Sequence, residues 1–225
     1  MTTLDAADAY AGHPDLGVSL DDGVLSVTFN RPDSLNSLTA PMLSALADAL
    51  DRAADDPRVK VVRLGGAGRG FSSGAGISEE DQARRKEGAP DAVLLGANRS
   101  IRAIVALPKP VIAVVQGPAA GVGVSLALAC DLVLASEKAF FLLAFTKIGL
   151  MRDGGATALV AAAIGRARAM RMALLAERIS AAEAFDFGLI SAVYPADELD
   201  AGVAKVITTL ASGPIGEKET PADQR

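Results

Sequence analysis

The sequence predicts an α/β fold, on three observations. Short apolar runs with strand character (VLSVTF, VKVVRL, VIAVV, LVLA) alternate with stretches whose apolar residues recur at helical spacing. Half of the residues are apolar, enough for a sizeable core in a chain of 225 residues. No repeat, low-complexity tract or linker divides the chain. One domain over 1–225 is therefore expected, with its core over about 17–214 and mobile ends at 1–16 and 215–225.

Taken in order, residues 18–29 (VSLDDGVLSVTF) read as two strands around an Asp-Gly turn. The loop RPDSLNSL leads into a helix capped by Thr39, with Met42, Leu43, Leu46, Leu50 and Ala53 on one face. Val59 to Leu64 returns as a strand, and the charged segment 78–90 reads as a mobile, solvated surface. A helix over Ala92 to Leu107 stops at Pro108-Lys109-Pro110, and strand 111–115 follows. The next helix, in GPAAGVGVSLALACD, is apolar all round and must be buried. Leu132 to Ala135 is a short strand, the pattern from Ala156 is helical, Ser180 caps AAEAFDFG, and ISAVY is the last strand.

Scarce residue types exclude much chemistry. The single cysteine, Cys130, permits no intrachain disulfide and no CxxC site. The single histidine, His13, lies in a polar N-terminal stretch, so a histidine-rich metal centre cannot be built and no metal site is expected. A net charge of -5 shows no nucleic-acid footprint. The N-terminus lacks a basic-then-apolar leader, and the apolar runs are too short to span a bilayer, so a cytoplasmic protein without a membrane partner is expected.

Two glycine clusters remain, GRGFSSGAGI (68–77) and GPAAGVGVS (117–125). The first has the spacing of neither a dinucleotide nor a P-loop cradle. Each follows a strand and can bring backbone N–H groups close to a ligand, the second at a helix start. Two such N–H groups aimed at one oxygen would stabilise a developing enolate. Tight turns and close packing are the other reading of the same glycines.

The ordered segments NRPDSLNSL, GAGRGFSSGAGIS, KPVIAVVQGPAAGVGVSLALACDLVLAS, FLLAFTKIGLMRDGGAT, IGRARAM and ISAAEAFDFGLISAVYP resemble the enoyl-CoA hydratase/isomerase (crotonase) family over nearly the whole chain. That resemblance implies a spiral of ββα units, a homotrimer or hexamer, and a coenzyme A thioester as substrate, with no separate cofactor. By position it makes Ala75 and Val122 the two backbone donors of an oxyanion hole. It places Arg31, Asn36, Ser73, Gly74, Gly76, Ile77 and Gly121, with Lys60 as a further candidate, against the substrate or its CoA.

The departures bear on the reaction. Where family hydratases carry two glutamates, this chain has Ser125 and Phe145, and neither is a carboxylate, so hydration by the usual route is not expected. Asp153 in GLMRDGGAT resembles the aspartate of the epoxyphenylacetyl-CoA isomerase and enoyl-CoA isomerase subgroup, which implies an acid/base for double-bond isomerisation. An Asp before Gly-Gly is equally a turn or cap residue, and Arg152 beside it can pair with it. Glu79 and Glu80 are alternative carboxylates, and Asp131 is expected to close the buried helix. Relatives continue with further helices where this chain ends GEKETPADQR, which implies a truncated C-terminal helical segment. A silent acyl-CoA-binding or assembly partner is accordingly the second reading.

Overall fold

The computed structural model describes residues 10, 13–76, 91–145 and 155–213. Strands β1 (Leu16–Asp21) and β2 (Val24–Phe29) form the expected antiparallel hairpin. Its turn residues Asp22 and Gly23 both have positive φ, 43° and 80°, the turn geometry that matches strand twist. Helix α1 (Ala40–Asp55) begins at Thr39, whose hydroxyl accepts from Met42 N–H. Lys109 closes its far end by donating from Nζ to Ala53 O and Asp56 O, each at 2.6 Å.

Strand β3 (Val61–Gly66) is shifted two residues from expectation. Val59 N–H and Lys60 N–H bond Asp56 O and Gly23 O as a turn, whereas Gly65 and Gly66 still pair with Thr28 and Phe29. Next come α2 (Ala92–Ala106), β4 (Val111–Val115), β5 (Pro118–Ala120), α3 (Val122–Ala129), β6 (Leu132–Ser136) and β7 (Phe140–Leu142). The chain then runs through α4 (Ala156–Leu175), β8 (Ile179–Ser180), α5 (Ala181–Asp186), β9 (Ala192–Tyr194) and α6 (Leu199–Ser212). As expected, α3 is buried and Ser180 caps α5, in a reciprocal box with Glu183.

Six strands make the main sheet, in order β1-β2-β3-β4-β6-β9, all neighbours parallel except the β1–β2 hairpin. Central β4 is buried at every position, as a parallel strand covered on both faces must be. Val62, Leu64, Val111, Ala113 and Val115 join the larger core with Leu43 and Leu46 of α1 and Ile104 of α2. Val61, Ile112, Val114 and Leu134 face Leu199 and Val203 of α6 instead. A smaller sheet, β5-β7-β8, grows from the same edge, since β5 and β7 start just after β4 and β6 end.

A side-chain cluster ties Tyr10 to the end of α1. Tyr10 Oη donates to Asp56 Oδ2 at 3.1 Å, and Arg58 donates to both carboxylate oxygens of Asp56. The Arg58 hydrogen bonds hold Asp56 well below the usual carboxylate range, while burial and then Asp56 push the Tyr10 phenol up to about 12. The two shifts act in opposite directions. The depressed Asp56 stabilises the fold above its unfolded value near ~4 and loses that contribution as pH falls. The raised Tyr10 stabilises it below ~10 and loses that contribution as pH climbs toward about 12. Asp56→Asn is expected to lower the melting temperature at neutral pH, and thermal scans should show the gap to wild type narrowing below about pH 4.

Candidate active site

In parallel α/β sheets, ligands bind beyond the carboxyl ends of the strands. Both glycine clusters leave from that edge, the first from β3 and the second from β4. They are laced to each other by backbone. Phe71 N–H and Ser72 N–H donate to Pro118 O at 3.0 and 3.2 Å, and Ala120 N–H returns a bond to Ser72 O at 2.8 Å. The first loop is also stitched to the turn before α1, because Leu38 N–H donates to Gly74 O at 2.8 Å and Gly76 N–H donates to Leu38 O.

These bonds decide where two other N–H groups point. A trans peptide sets its N–H opposite its carbonyl. With Gly74 O held by Leu38, Ala75 N–H must face away from the 35–38 turn. Gly121 O accepts from Val124 N–H at 3.0 Å inside the first turn of α3, so Val122 N–H points back out of the helix start. Among the described residues, neither Ala75 N–H nor Val122 N–H meets an acceptor.

The close approach of the loops requires glycine twice. Gly74 has φ +83°, and a Cβ there would lie 2.7 Å from Ala120 O and 3.4 Å from Val122 N. Gly121 caps α3 at φ 52° and ψ -125°, which side chains with a Cβ avoid, and its own N–H bonds Leu142 O. The nearest atoms to a Cβ built on Gly121 are Phe145 Cζ at 3.8 Å, Gly74 Cα at 3.9 Å and Phe145 Cε1 at 4.0 Å.

Several residues assigned to the substrate are engaged inside the loop. Asn36 is fully buried; its Oδ1 accepts from Arg31 N–H, and its Nδ2 donates to Ala67 O at 2.9 Å and Gly70 O at 2.8 Å. Arg31 donates from Nη1 to Ser37 O and Ser37 Oγ, and Ser73 Oγ donates to Ser34 O. The geometry makes Asn36 a positioning group for the loop. Lys60 stands at the opposite end of β3 from the loop, roughly 20 Å away for a six-residue strand. It is excluded as a contact at this edge. Asp131 has a structural role, but in the sheet: its Oδ2 accepts from Val111 N–H at the start of β4. Ile77, Glu79, Glu80, Arg152 and Asp153 lie outside the described residues.

Two residues of this frame went unread in the sequence. Gln116 Nε2 reaches Gly66 O, Gly68 O and Gly70 O at 2.6, 3.1 and 2.8 Å, and Ser72 Oγ donates to Asn36 O while accepting from Gly74 N–H. Their only signal was position, a polar residue directly after a strand and one inside a glycine loop. Of the two glutamate positions, Ser125 is fully buried on α3 and Phe145 is 5 % exposed.

A cleft of about 720 Å³ lies elsewhere, between α4 and α5, lined by Arg168, Arg171, Arg178 and Phe187. It contains no residue of either glycine loop, and its carboxylates are engaged, Glu177 by Arg171 and Glu183 by the Ser180 cap. Among the described residues no helix is long and apolar enough to cross a membrane.

A family model described as enoyl-CoA hydratase/isomerase matches residues 19–219. The chain belongs to that family. It is 38 % identical over 198 residues to 1,2-epoxyphenylacetyl-CoA isomerase of Escherichia coli (strain K12), covering 87 % of this chain and 75 % of that protein. It is 42 % identical over 178 residues to a probable enoyl-CoA hydratase of Rhodobacter capsulatus, covering 78 % of this chain and 67 % of that one. Among solved structures, an enoyl-CoA hydratase from Mycobacterium avium subsp. paratuberculosis K-10 superposes with a TM-score of 0.85 at 67 % identity, over 91 % of this chain and 81 % of that one. The expected crotonase-like α/β fold is thus the fold observed. Relatives of this family member carry both hydratase and isomerase names.

Asn36→Ala would leave Arg31 N–H and Ala67 O without their partner inside the loop. It is expected to destabilise the protein by about 2 kcal/mol, measured as a lower urea midpoint at unchanged slope.

Proposed function

We propose that this family member is an acyl-CoA enzyme that moves the double bond of an enoyl thioester, with Ala75 N–H and Val122 N–H as its oxyanion hole. The observation that carries the reading is the pair of outward N–H groups without acceptors, presented by two loops tied together through Ser72 and Pro118. The thioester oxygen accepts from both. Charge that develops there when C2 loses a proton meets fixed donors, one of them at the positive end of α3. Asp153 takes the C2 proton; the electron pair of that bond delocalises into the thioester and forms a dienolate. The same carboxyl then gives the proton to C4. The double bond thus passes from C3–C4 to C2–C3 with no net change in atoms.

Proton return is favoured over hydration by what stands at the two glutamate positions. Adding water needs a group that positions and deprotonates it. Buried Ser125 and the Phe145 ring offer no carboxylate for that task. Isomerase names recur among the relatives, including trans-2-decenoyl-[acyl-carrier-protein] isomerase of Streptococcus mutans, 31 % identical over 199 residues.

The test follows conjugation of a 3-enoyl-CoA by absorbance, beside crotonyl-CoA. Wild type is expected to form the conjugated thioester and leave crotonyl-CoA unhydrated. Asp153→Asn should lower kcat by about 10²–10⁴-fold while CoA-thioester binding persists. Binding without conjugation in wild type would overturn the reading in favour of a silent acyl-CoA binder. Gly74→Ala, which places a Cβ against Ala120 O, should lower kcat by roughly 10²-fold, as loss of one oxyanion donor does.

A further inference from the structure

Ser72 is a residue at which both glycine loops meet. It is fully buried, and its backbone pairs with the second loop in both directions: its N–H donates to Pro118 O at 3.2 Å and its carbonyl accepts from Ala120 N–H at 2.8 Å. Its hydroxyl faces the first loop. The proton goes to Asn36 O at 2.9 Å and the oxygen accepts from Gly74 N–H at 3.1 Å, so donor and acceptor are used together. Gly74 is thereby held at both polar atoms, its N–H by Ser72 and its carbonyl by Leu38 N–H. The second hold matters at φ +83°, because a glycine tied through its carbonyl alone keeps much of its backbone freedom, and the peptide that carries Ala75 N–H moves with it.

The same side chain bears on the other donor. A Cβ built on Gly123, the residue after Val122, would lie 2.9 Å from Ser72 Cβ, 2.9 Å from Ser72 O and 3.1 Å from Ser72 Oγ, so the start of α3 rests on Ser72 with no room for a methyl group between them. We propose that Ser72 is a positioning residue: its hydroxyl pins the peptide of Ala75, and its contact with Gly123 sets how far the Val122 peptide stands from that of Ala75. The role rests on the oxyanion-hole reading above and is one of geometry, since the polar groups of Ser72 are engaged by the loops themselves. Two donors that share one oxygen act together only while their separation is held, and a small displacement is felt most where charge develops.

Ser72→Ala removes the hydroxyl and keeps Cβ. Ser100→Ala is its control, since Ser100 is equally buried and its hydroxyl donates to Leu43 O at 2.9 Å between α2 and α1, in neither glycine loop. For wild type and both variants, kcat and KM on a 3-enoyl-CoA are read beside the carbonyl stretching frequency of bound 2-enoyl-CoA, which falls as the thioester oxygen is hydrogen-bonded. Ser72→Ala is expected to lower kcat roughly 10-fold with KM changed less than about 2-fold, and to return the frequency toward that of free thioester. Ser100→Ala is expected to match wild type in both readouts while its melting temperature falls. A wild-type frequency in Ser72→Ala overturns the proposal whatever its kcat, as does an equal loss in Ser100→Ala, which would make the effect one of stability. Where Ser72→Ala fails to fold, Gly123→Ala decides: it leaves the hydroxyl in place and forces a Cβ against Ser72, and an unchanged frequency there overturns the proposal. If wild type itself neither lowers the frequency nor conjugates a 3-enoyl-CoA, the oxyanion-hole reading fails and the role of Ser72 falls with it.

Discussion

A planar peptide whose carbonyl is already bonded has no freedom left in its N–H. The whole site depends on that constraint. Leu38 holds the carbonyl of Gly74, and the first turn of α3 holds the carbonyl of Gly121, so the N–H groups that follow are aimed before any ligand arrives. Side chains then fix the holders. Asn36 and Gln116 both donate to Gly70 O, one from the turn before α1 and one from the end of β4. Two segments thereby hold a third through one acceptor, and neither can drift without breaking a hydrogen bond.

The same frame explains why glycine recurs here. Where backbones meet at hydrogen-bond distance, a Cβ has nowhere to go, as at Gly74 against Ala120 O. Glycine at position 74 is therefore a product of loop-to-loop contact. Phe141, Leu143 and Phe145 are buried on the segment that follows β6, and the Phe145 ring lies near Gly121.

Local signals made most of the fold legible. The Asp-Gly turn specified the first hairpin, Thr39 and Ser180 marked helix starts, and the all-apolar 122–129 stretch announced its own burial. Strands β5, β7 and β8 escaped because two or three residues carry no periodicity and pair only after the main sheet has placed them. At the site, Ala75 and Val122 were named through the family resemblance, while the hold of Asn36 on the loop went unread. Its partners are backbone carbonyls 31 and 34 residues away, and a carbonyl has no identity in a sequence.

The union of Ala75 and Val122 has a consequence for how the protein comes to be formed. Their loops meet only when β3 and β4 lie side by side in register, with Val62 opposite Val111, and when the 116–120 segment has turned back onto Ser72. The first turn of α3 forms locally, but bringing the two loops together needs contacts far apart in sequence, so their pairing arises late on any folding route governed by loop-closure entropy. A partly assembled sheet, however helical, presents two separate glycine loops and no paired donors. Pairing of the two outward N–H groups and completion of the parallel ladder are consequently the same event.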